Sequence, residues 1–424
     1  MIIKKLTLTN VRGHAYSEFE FKAGINLLVG INGVGKSTVL DALKICCSVI
    51  FPKVSHSKST KLSFEKSDIR KGTSTLQVSC DFNFLDVDYN LLIVKDREGS
   101  ITRQNKAGKL ESISILDKEI FVPSVNMIFK TIGNIFTNPV PILFSTRRSL
   151  ITEKSVSKTA TLGGVEAAFV ESLSSTRSFN IKTFAAWFNV QQKLKKEKPE
   201  IAKHVKVLQE ALSLFLPTFS NLSVEEIDGE LTFFVDKNGI PFNIYELSDG
   251  EKSLLCIVLD IAKRLSQANP LADDPLKEQA VILIDELDIH LHPKWQRTVI
   301  ENLTRTFPNC QFIATTHSPQ IIPSVEPEHI QIVGINGVTT PDRTLGMDAN
   351  WILKYLMDTD ERPENALAVI SEVEELINDI EFDEAITKMN EYKKNGYDFP
   401  EWSILEARIA KLKILGEEAD EADK

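Results

Sequence analysis

A glycine-rich segment near the N-terminus constrains this chain more than any other feature. Residues 30–38, GINGVGKST, match the pattern G-x-x-x-x-G-K-[ST]. The apolar run 25–29 before it has strand length, and apolar residues at helical spacing follow it. Between a strand and a helix, such a loop turns backbone N–H groups and the positive end of the helix dipole towards a phosphate. The segment therefore predicts an α/β fold that binds a nucleoside triphosphate.

Two side chains of this loop have distinct predicted roles. Lys36 is expected to contact the β and γ phosphates, and Ser37 is expected to ligate Mg²⁺. So short a pattern also occurs by chance, but its place between a strand and a helix favours the phosphate-binding interpretation. The predicted ligands are therefore ATP and Mg²⁺. The candidate nucleotide-binding residues in the loop are Gly30, Asn32, Gly33, Gly35, Lys36, Ser37 and Thr38.

A second strand supplies acidic residues. Residues 281–286, VILIDE, predict a buried parallel strand whose carboxylates emerge at its C-terminal edge. Asp285 is expected to hold Mg²⁺, directly or through water, and Glu286 to polarise the attacking water. A third predicted strand, 311–316, delivers His317 to the same edge. A lone histidine is more often structural, but this position favours a γ-phosphate sensor.

Composition and charge limit the class of protein. The chain has 424 residues, of which 42% are hydrophobic and 25% charged, which is ordinary globular usage. No apolar run approaches the ~18 residues of a membrane span, and the N-terminus begins a strand rather than a signal peptide. We therefore expect a bacterial cytosolic protein. The five cysteines form no C-x-x-C pair and are interpreted as reduced core residues.

Two further patterns leave alternatives open. The net charge of −10 argues against a uniformly DNA-coating protein, yet residues 182–206 contain seven lysines and two acids. They predict amphipathic helices interrupted at Pro199, whose basic face either tracks DNA phosphates or is simply solvated. His290 and His292 suggest either a metal pair or, as we favour, residues that position a dimer contact.

These motifs carry a resemblance to a known group. The phosphate loop (Walker A), a signature LSDGE at 247–251, the acidic strand end (Walker B), the D-loop Leu287-Asp288 and the switch His317 resemble the ABC-type ATPases of the SMC, RecF and OLD group. Residues 8–14 are similar to that group's opening strand, whose arginine, here Arg12, lies near the nucleotide.

The resemblance implies pairing. In the group, the signature helix of one subunit closes on the ATP of another, which gives two ATPs in a two-fold interface. Ser248, Gly250 and Glu251 would then belong to the nucleotide site of a homodimer or a higher homo-oligomer. The alternative is an ordinary helix cap with no role towards ATP.

The lengths of two segments distinguish between the members of this group. Lys36 and Ser248 lie 212 residues apart, more than a transporter cassette needs, and this interval has no sustained heptads of an SMC coiled coil. The chain after His317 is too short for the nuclease domain of OLD-type proteins. Over its whole length the chain resembles the Septu anti-phage ATPase family, called PtuA, and related retron-associated ATPases. The segments that carry this resemblance, besides the motifs, are 141–148, 285–296 and 352–363.

The Septu resemblance implies a partner. It is an HNH endonuclease, PtuB-like, which would cut DNA while this chain binds nucleotide and assembles the complex. Arg147 and Arg148 are expected near the γ-phosphate, where related ATPases have a Q-loop, although no glutamine matches there. The alternatives of another class are a RecF-like DNA-repair ATPase that binds DNA directly, and a nucleotide-dependent scaffold that hardly hydrolyses ATP.

The predicted architecture is an α/β ABC-type P-loop ATPase head, with a mixed sheet and an antiparallel β layer, a helical insertion and a C-terminal helical segment. Two apolar stripes in the last segment predict a helical hairpin that serves as a lid or, as we favour, a partner dock. The predicted parts are residues 1–150 with Walker A, 151–220 as the insertion, 221–345 with the signature, Walker B and switch histidine, and 346–424 as the dock.

Overall fold

The chain folds into two compact units, Met1–Ile352 and Leu353–Lys424. The finer division of residues 1–345 into three parts stays a prediction. The computed structural model describes residues 1–57, 61–97, 101–104, 110–113, 118–122, 138–146, 151–152, 164–176, 179–194, 199–334, 337–360 and 362–422.

The strands and helices are numbered in chain order. The strands are β1 (Ile2–Val11), β2 (His14–Glu20), β3 (Ile25–Val29), β4 (Thr75–Phe84), β5 (Val87–Asp96), β6 (Ile101–Gln104), β7 (Leu110–Ile113), β8 (Lys118–Val122), β9 (Val140–Phe144), β10 (Ile151–Thr152), β11 (Phe179–Asn180), β12 (Phe219–Ile227), β13 (Glu230–Lys237), β14 (Ile240–Asn243), β15 (Ala280–Ile284), β16 (Cys310–Thr316), β17 (Ile330–Gly334) and β18 (Gly337–Thr339). The α-helices are α1 (Lys36–Val54), α2 (Ile181–Leu194), α3 (Pro199–Phe215), α4 (Asp249–Ala268), α5 (Pro293–Gln296), α6 (Val299–Thr306), α7 (Ala349–Leu356), α8 (Glu364–Asn378), α9 (Phe382–Lys394) and α10 (Glu401–Ala422).

A mostly parallel sheet forms the centre of the first unit. Its strand order is β18-β17-β3-β16-β15-β9, and only the edge strand β18 runs antiparallel to its neighbour. Every residue of β3, β9, β15 and β16 is buried. Near-continuous apolar runs form such strands because helices and a second layer cover both faces. The predicted α/β class is confirmed.

An antiparallel sheet of order β2-β1-β4-β5-β8 forms a second layer. Its strands alternate between buried and more exposed residues, as in β4, so one face points into the core. Helix α1 shares one hydrophobic cluster with residues of both sheets. The helix that follows the phosphate loop is therefore fixed by packing along its length.

A third region of the first unit combines helices with a small sheet. Strands β12, β13 and β14 form an antiparallel sheet, and aromatic rings of α2 contact Phe233 of β13. Helix α3 packs against α4. The predicted strands 222–226 and 231–235 lie inside β12 and β13 and are confirmed.

The second unit has a core of its own. The two predicted helices correspond to α8 and α9, but a third helix, α10, was not predicted. The core side chains come from all three helices and are Val373, Ile377, Ala385, Met389, Trp402, Leu405 and Ile409. Ile380 is 73% exposed in the turn between α8 and α9. Among the described helices, none is both long and apolar enough to cross a membrane.

Candidate functional site

The phosphate loop requires glycine for two separate reasons. Gly30 and Gly35 have φ angles of 156° and 102°, a region that other residues seldom adopt. In addition, a Cβ atom at Gly30 would overlap the carbonyl oxygen of Val333, and one at Gly35 would overlap the His14 ring. The loop therefore lies against its neighbours so closely that side chains at these two positions are excluded.

Lys36 lies inside the loop rather than in solvent. It is 6% exposed, and its Nζ donates hydrogen bonds to the carbonyl oxygens of Gly30 and Ile31, both at 2.9 Å. Burial lowers the pKa of Lys36, against the opposing effect of the acids at Asp285 and Glu286. The ammonium group is thus held by weak neutral acceptors, which phosphate oxygens can replace with stronger charge-assisted bonds.

Asp285 and Ser37 bring two oxygen atoms together. Asp285 follows β15, and its Oδ1 accepts a hydrogen bond from Thr315 Oγ1 at 2.7 Å. The hydroxyl of Ser37 lies 3.4 Å from the same Oδ1. A carboxylate and a hydroxyl at this spacing are the oxygen ligands that Mg²⁺ prefers. The residues present therefore fit a magnesium site.

The backbone of Glu286 is held in an unusual conformation. Its φ angle is 48°, unusual for a residue with a side chain, and its N–H donates to Thr315 Oγ1 at 2.7 Å. Next to it, Asp288 accepts hydrogen bonds from Thr316 Oγ1 at 2.6 Å and from the His317 N–H at 3.2 Å. Thr315 and Thr316, for which no role was predicted, thus connect β16 to the acidic segment after β15.

His317 lies at the edge of the sheet where these acids emerge. It is half-buried, and burial lowers its pKa, as does the positive charge of Lys36, while Asp288 and Glu286 act in the opposite direction. The structure thus brings His317, Lys36 and the acids into one electrostatic environment, as expected from the three strand ends. Its role as a phosphate sensor stays a prediction.

The signature begins helix α4 with a capping box. Ser248 is the exposed N-cap residue, and its hydroxyl donates to Glu251 Oε2 at 2.8 Å, while that same oxygen accepts the Ser248 N–H at 3.0 Å. Gly250 lies so close to His290 that a Cβ atom would stand 2.5 Å from its carbonyl oxygen. Ser248 therefore caps α4, and its predicted role in nucleotide binding stays a prediction.

The two histidines beside the D-loop each contact backbone atoms of neighbouring residues. The carbonyl of His290 packs against the signature glycine, and the His292 side chain caps α5 by accepting the Lys294 N–H at 3.2 Å. The positioning of a dimer contact by these histidines stays a prediction.

Arg12 and His14 contact helix α1 and its loop in different ways. Arg12 donates to Asp68 at 2.8 Å and to Asp41 of α1 at 2.9 Å. His14 Nε2 lies 3.3 Å from the Gly35 carbonyl oxygen, and its Nδ1 lies 2.8 Å from Ser17 Oγ. Arg12 was predicted to lie near the nucleotide, whereas no role was predicted for His14. A buried histidine beside a phosphate loop has no short-range signal that could have revealed it.

Other sequence expectations remain open. Arg147 and Arg148 lie outside the described residues, as do Lys195, Lys196 and Lys198 of the basic stretch. Of the lysines that are described there, Lys182 pairs with Glu230 at 3.1 Å, and Lys203 donates to the carbonyl of Ala272. Direct DNA contact by this stretch is still a hypothesis.

Comparisons with known proteins place the chain in a family. The family described as "AAA domain" matches residues 5–228, and the one described as "AAA domain, putative AbiEii toxin, Type IV TA system" matches residues 156–322.

Three of the similar proteins come from bacteria. The chain is 27% identical to "Retron Ec83 probable ATPase" of Escherichia coli, over 82% of this chain and 74% of that protein. It is 26% identical to "Retron Vc95 probable ATPase" of Vibrio cholerae serotype O1 biovar El Tor, over 88% and 84%. It is 24% identical to "Septu protein PtuA" of Bacillus thuringiensis, over 79% and 76%. The resemblance to this group is confirmed at family level. Because the match to the family described as "AAA domain" covers more than half of this chain, the chain belongs to that family, as an ATPase related to the retron ATPases and to Septu protein PtuA.

Proposed function

We propose that this chain binds ATP with Mg²⁺ at the C-terminal edge of its parallel sheet and hydrolyses it there. The observation that carries the proposal is the meeting of Ser37 and Asp285, whose oxygens lie 3.4 Å apart beside the buried Lys36. Strands β3 and β15 deliver these residues from opposite sides of β16. This arrangement provides a cation, two metal ligands and a glycine loop in one place.

Each residue then has a defined task. Lys36 and the loop N–H groups bind the β and γ phosphates, and Ser37 and Asp285 would hold Mg²⁺. When bound, Mg²⁺ supplies positive charge that favours attack on the γ-phosphorus. Glu286 accepts a proton from the attacking water, since its backbone is held by Thr315 and the residue is half-buried at the sheet edge. His317 contacts the γ-phosphate from the adjacent strand end.

We propose further that two copies pair around the nucleotide. Ser248 is exposed at the start of α4, a helix of 20 residues, and the N-terminus of a helix favours an anion. The Ser248 hydroxyl, with the N–H groups near Gly250 and Glu251, would contact the γ-phosphate held by the other copy. Arg12 would act indirectly, by fixing α1 through Asp41.

The paired ATPase is proposed to regulate an HNH endonuclease in an anti-phage complex. Similarity to Septu protein PtuA over 79% of this chain supports this role. The C-terminal unit, which has its own core, is the proposed dock for that partner. Hydrolysis would then couple the assembly of the complex to the ATP level.

The test is co-purification of the full chain with the product of the neighbouring gene, followed by mass measurement with and without ATP and Mg²⁺. We expect nucleotide-dependent pairing and slow phosphate release. A chain that stays monomeric with ATP and releases no phosphate would overturn the proposal. Tight, salt-dependent DNA binding by the chain alone would instead favour the DNA-repair alternative.

A further inference from the structure

A buried carboxylate lies directly behind the signature serine. Glu251 is 5% exposed, although glutamate is almost never buried without a partner. Its Oε2 accepts both the N–H and the hydroxyl of Ser248. The atom that the proposed function needs for binding a phosphate is therefore already bonded to a negative charge.

This arrangement creates an electrostatic problem for phosphate binding. A γ-phosphate that approached Ser248 would meet Glu251 one hydrogen bond further on, and two like charges at that spacing repel each other. The Ser248 hydroxyl would also have to turn from Glu251 towards the phosphate, which removes one of the donors that stabilise the carboxylate. A buried Glu251 with no counter-charge would thus oppose the association of two copies in both ways.

Lys237 supplies the missing positive charge. Its Nζ lies 2.6 Å from Glu251 Oε1, the oxygen that Ser248 does not use. Burial alone would raise the pKa of Glu251, but the hydrogen bond from Lys237 and those from Ser248 outweigh burial and lower it. The carboxylate is therefore ionised and balanced by a cation from outside its own helix.

The position of Lys237 is fixed by the small sheet. It is the last residue of β13, where it pairs with Phe219 of β12 and with Ile240 of β14. Its Nζ also lies 5.9 Å from the centre of the Phe242 ring. Because strands flank Lys237 on both sides, the ammonium group is presented to Glu251 from a rigid support.

We propose that Lys237 is a positioning residue, which neutralises Glu251 so that Ser248 can turn to the γ-phosphate held by a paired copy. The inference rests on the proposed pairing and adds a residue to it. Lys237 itself does not touch the nucleotide. When the Ser248 hydroxyl leaves Glu251, the ion pair keeps the carboxylate balanced, so the signature helix presents a net attractive end to the anion.

The experiment compares pairing affinities in the full-length chain carrying Glu286→Gln, which keeps ATP intact. Sedimentation with ATP and Mg²⁺ gives the dissociation constant for pairing in the parent, Lys237→Met, Lys237→Arg and the double variant Lys237→Met with Glu251→Gln. Lys237→Met should weaken pairing about tenfold to a hundredfold, the range expected for an uncompensated like charge at an interface. The double variant should recover most of this loss, since it removes the negative charge and keeps a hydrogen-bonding side chain. Lys237→Arg should pair nearly as well as the parent.

ATP binding separates this role from a general structural one. A fluorescent ATP analogue, added at protein concentrations below those needed for pairing, should bind Lys237→Met as tightly as the parent. A lysine that stabilised the fold only through contacts other than Glu251, such as the Phe242 ring, would not be rescued by Glu251→Gln. Should Lys237→Met fail to fold, Glu251→Gln alone decides: it leaves Lys237 unbalanced beside the anion and should pair several-fold more tightly, with a steeper salt dependence.

Unchanged pairing in Lys237→Met, or a double variant as weak as Lys237→Met, would overturn the inference alone. Unchanged pairing in Glu251→Gln would overturn it when the single lysine variant is unfolded. A parent that never pairs with ATP would overturn the proposed function, and this inference with it.

Discussion

Thr315 Oγ1 donates a hydrogen bond of 2.7 Å to Asp285 Oδ1, across the boundary between two neighbouring strands. The same oxygen accepts the N–H of Glu286 at 2.7 Å. A single fully buried hydroxyl therefore orients the proposed metal ligand and the backbone of the proposed base. Such supporting hydrogen bonds are as much a part of a metal site as its direct ligands.

Replacing this hydroxyl should impair catalysis without removing either acid. Thr315→Val keeps the shape of the side chain but removes the hydrogen bond to Asp285 Oδ1 and the hydroxyl that accepts the Glu286 N–H. We expect turnover, or the affinity for Mg²⁺, to fall about tenfold to a hundredfold, the usual effect of losing such a supporting contact. Steady-state phosphate release against Mg²⁺ concentration measures both. The matched control is Thr344→Val, which also removes a buried hydroxyl, one that donates to the Val325 carbonyl oxygen at 2.7 Å. Equal losses in the two variants would contradict a specific role for Thr315.

Removal of the loop lysine should abolish ATP binding. Lys36→Ala deletes the ammonium group that now donates to Gly30 and Ile31 and that would bind the β and γ phosphates. Calorimetry with ATP and Mg²⁺ should detect no binding, whereas Lys53→Ala, at an exposed lysine in the last turn of the same helix, should bind like the parent. ATP binding by Lys36→Ala with unchanged affinity would exclude the predicted role.

Glu286→Gln should separate binding from chemistry. The amide cannot accept the proton of the attacking water, so kcat should fall by about two to four orders of magnitude while ATP binding is retained. Rapid phosphate-release assays and ATP titration provide the two measurements. Glu301→Gln, at a strongly exposed glutamate of α6, is the control and should keep the parental rate. If Glu286→Gln turns over ATP at that rate too, another residue is the base.

A bulky cation at the signature should block pairing only. Ser248→Arg places a long side chain at the exposed start of α4, where the second copy would approach. Binding of ATP to the single chain should persist, and the ATP-dependent increase in mass should disappear. Ser213→Arg, at an exposed position of α3, serves as the control for the substitution itself. Pairing that survives Ser248→Arg would contradict the two-fold arrangement.

His14 should make stability depend on pH. Since the Gly35 carbonyl can only accept, Nε2 carries the proton and Nδ1 accepts from Ser17. Burial lowers the pKa of His14 below its ordinary value of 6.5, and the charge of Arg70 adds to this effect. The unfolded chain therefore binds the proton first as pH falls, so stability is complete above about pH 6.5 and decreases below it.

The measurement is urea unfolding of the parent and His14→Asn between pH 7.5 and pH 5.5, about one unit to either side of the ordinary histidine value. The variant should lose less stability on acidification, by up to about 1.4 kcal/mol per pH unit for one proton. The effect of His317, whose pKa is also lowered, cancels in the difference. Parallel curves would show that His14 does not titrate as argued.

The central sheet could be predicted because its signals are local. An apolar run, a glycine loop and a helical repeat define residues 25–54 without reference to the rest of the chain, and β3 spans the predicted 25–29. Strands that end in acids or in a histidine also carry a local signal: β16 begins one residue before the predicted 311, and β15 covers 280–284 and ends just before the two acids of the predicted 281–286. That these strand ends meet follows from the general geometry of parallel sheets.

The contacts between strands could not be predicted in the same way. Thr315 and Lys237 reach their partners only because particular strands and helices become neighbours in the fold. A single sequence does not show which elements will be neighbours. Helix α10 was missed for another reason: Trp402 is 1% exposed while Ile404 is 68% exposed, so apolar residues do not form the single stripe that marks a surface helix.

The separate core of residues 353–424 has a consequence for how such a protein changes over time. Seven buried side chains from three helices of that unit form this core. Substitutions on the outward surfaces of these helices can therefore accumulate while the nucleotide chemistry stays intact. The proposed docking surface can thereby diverge between relatives that keep the same ATPase.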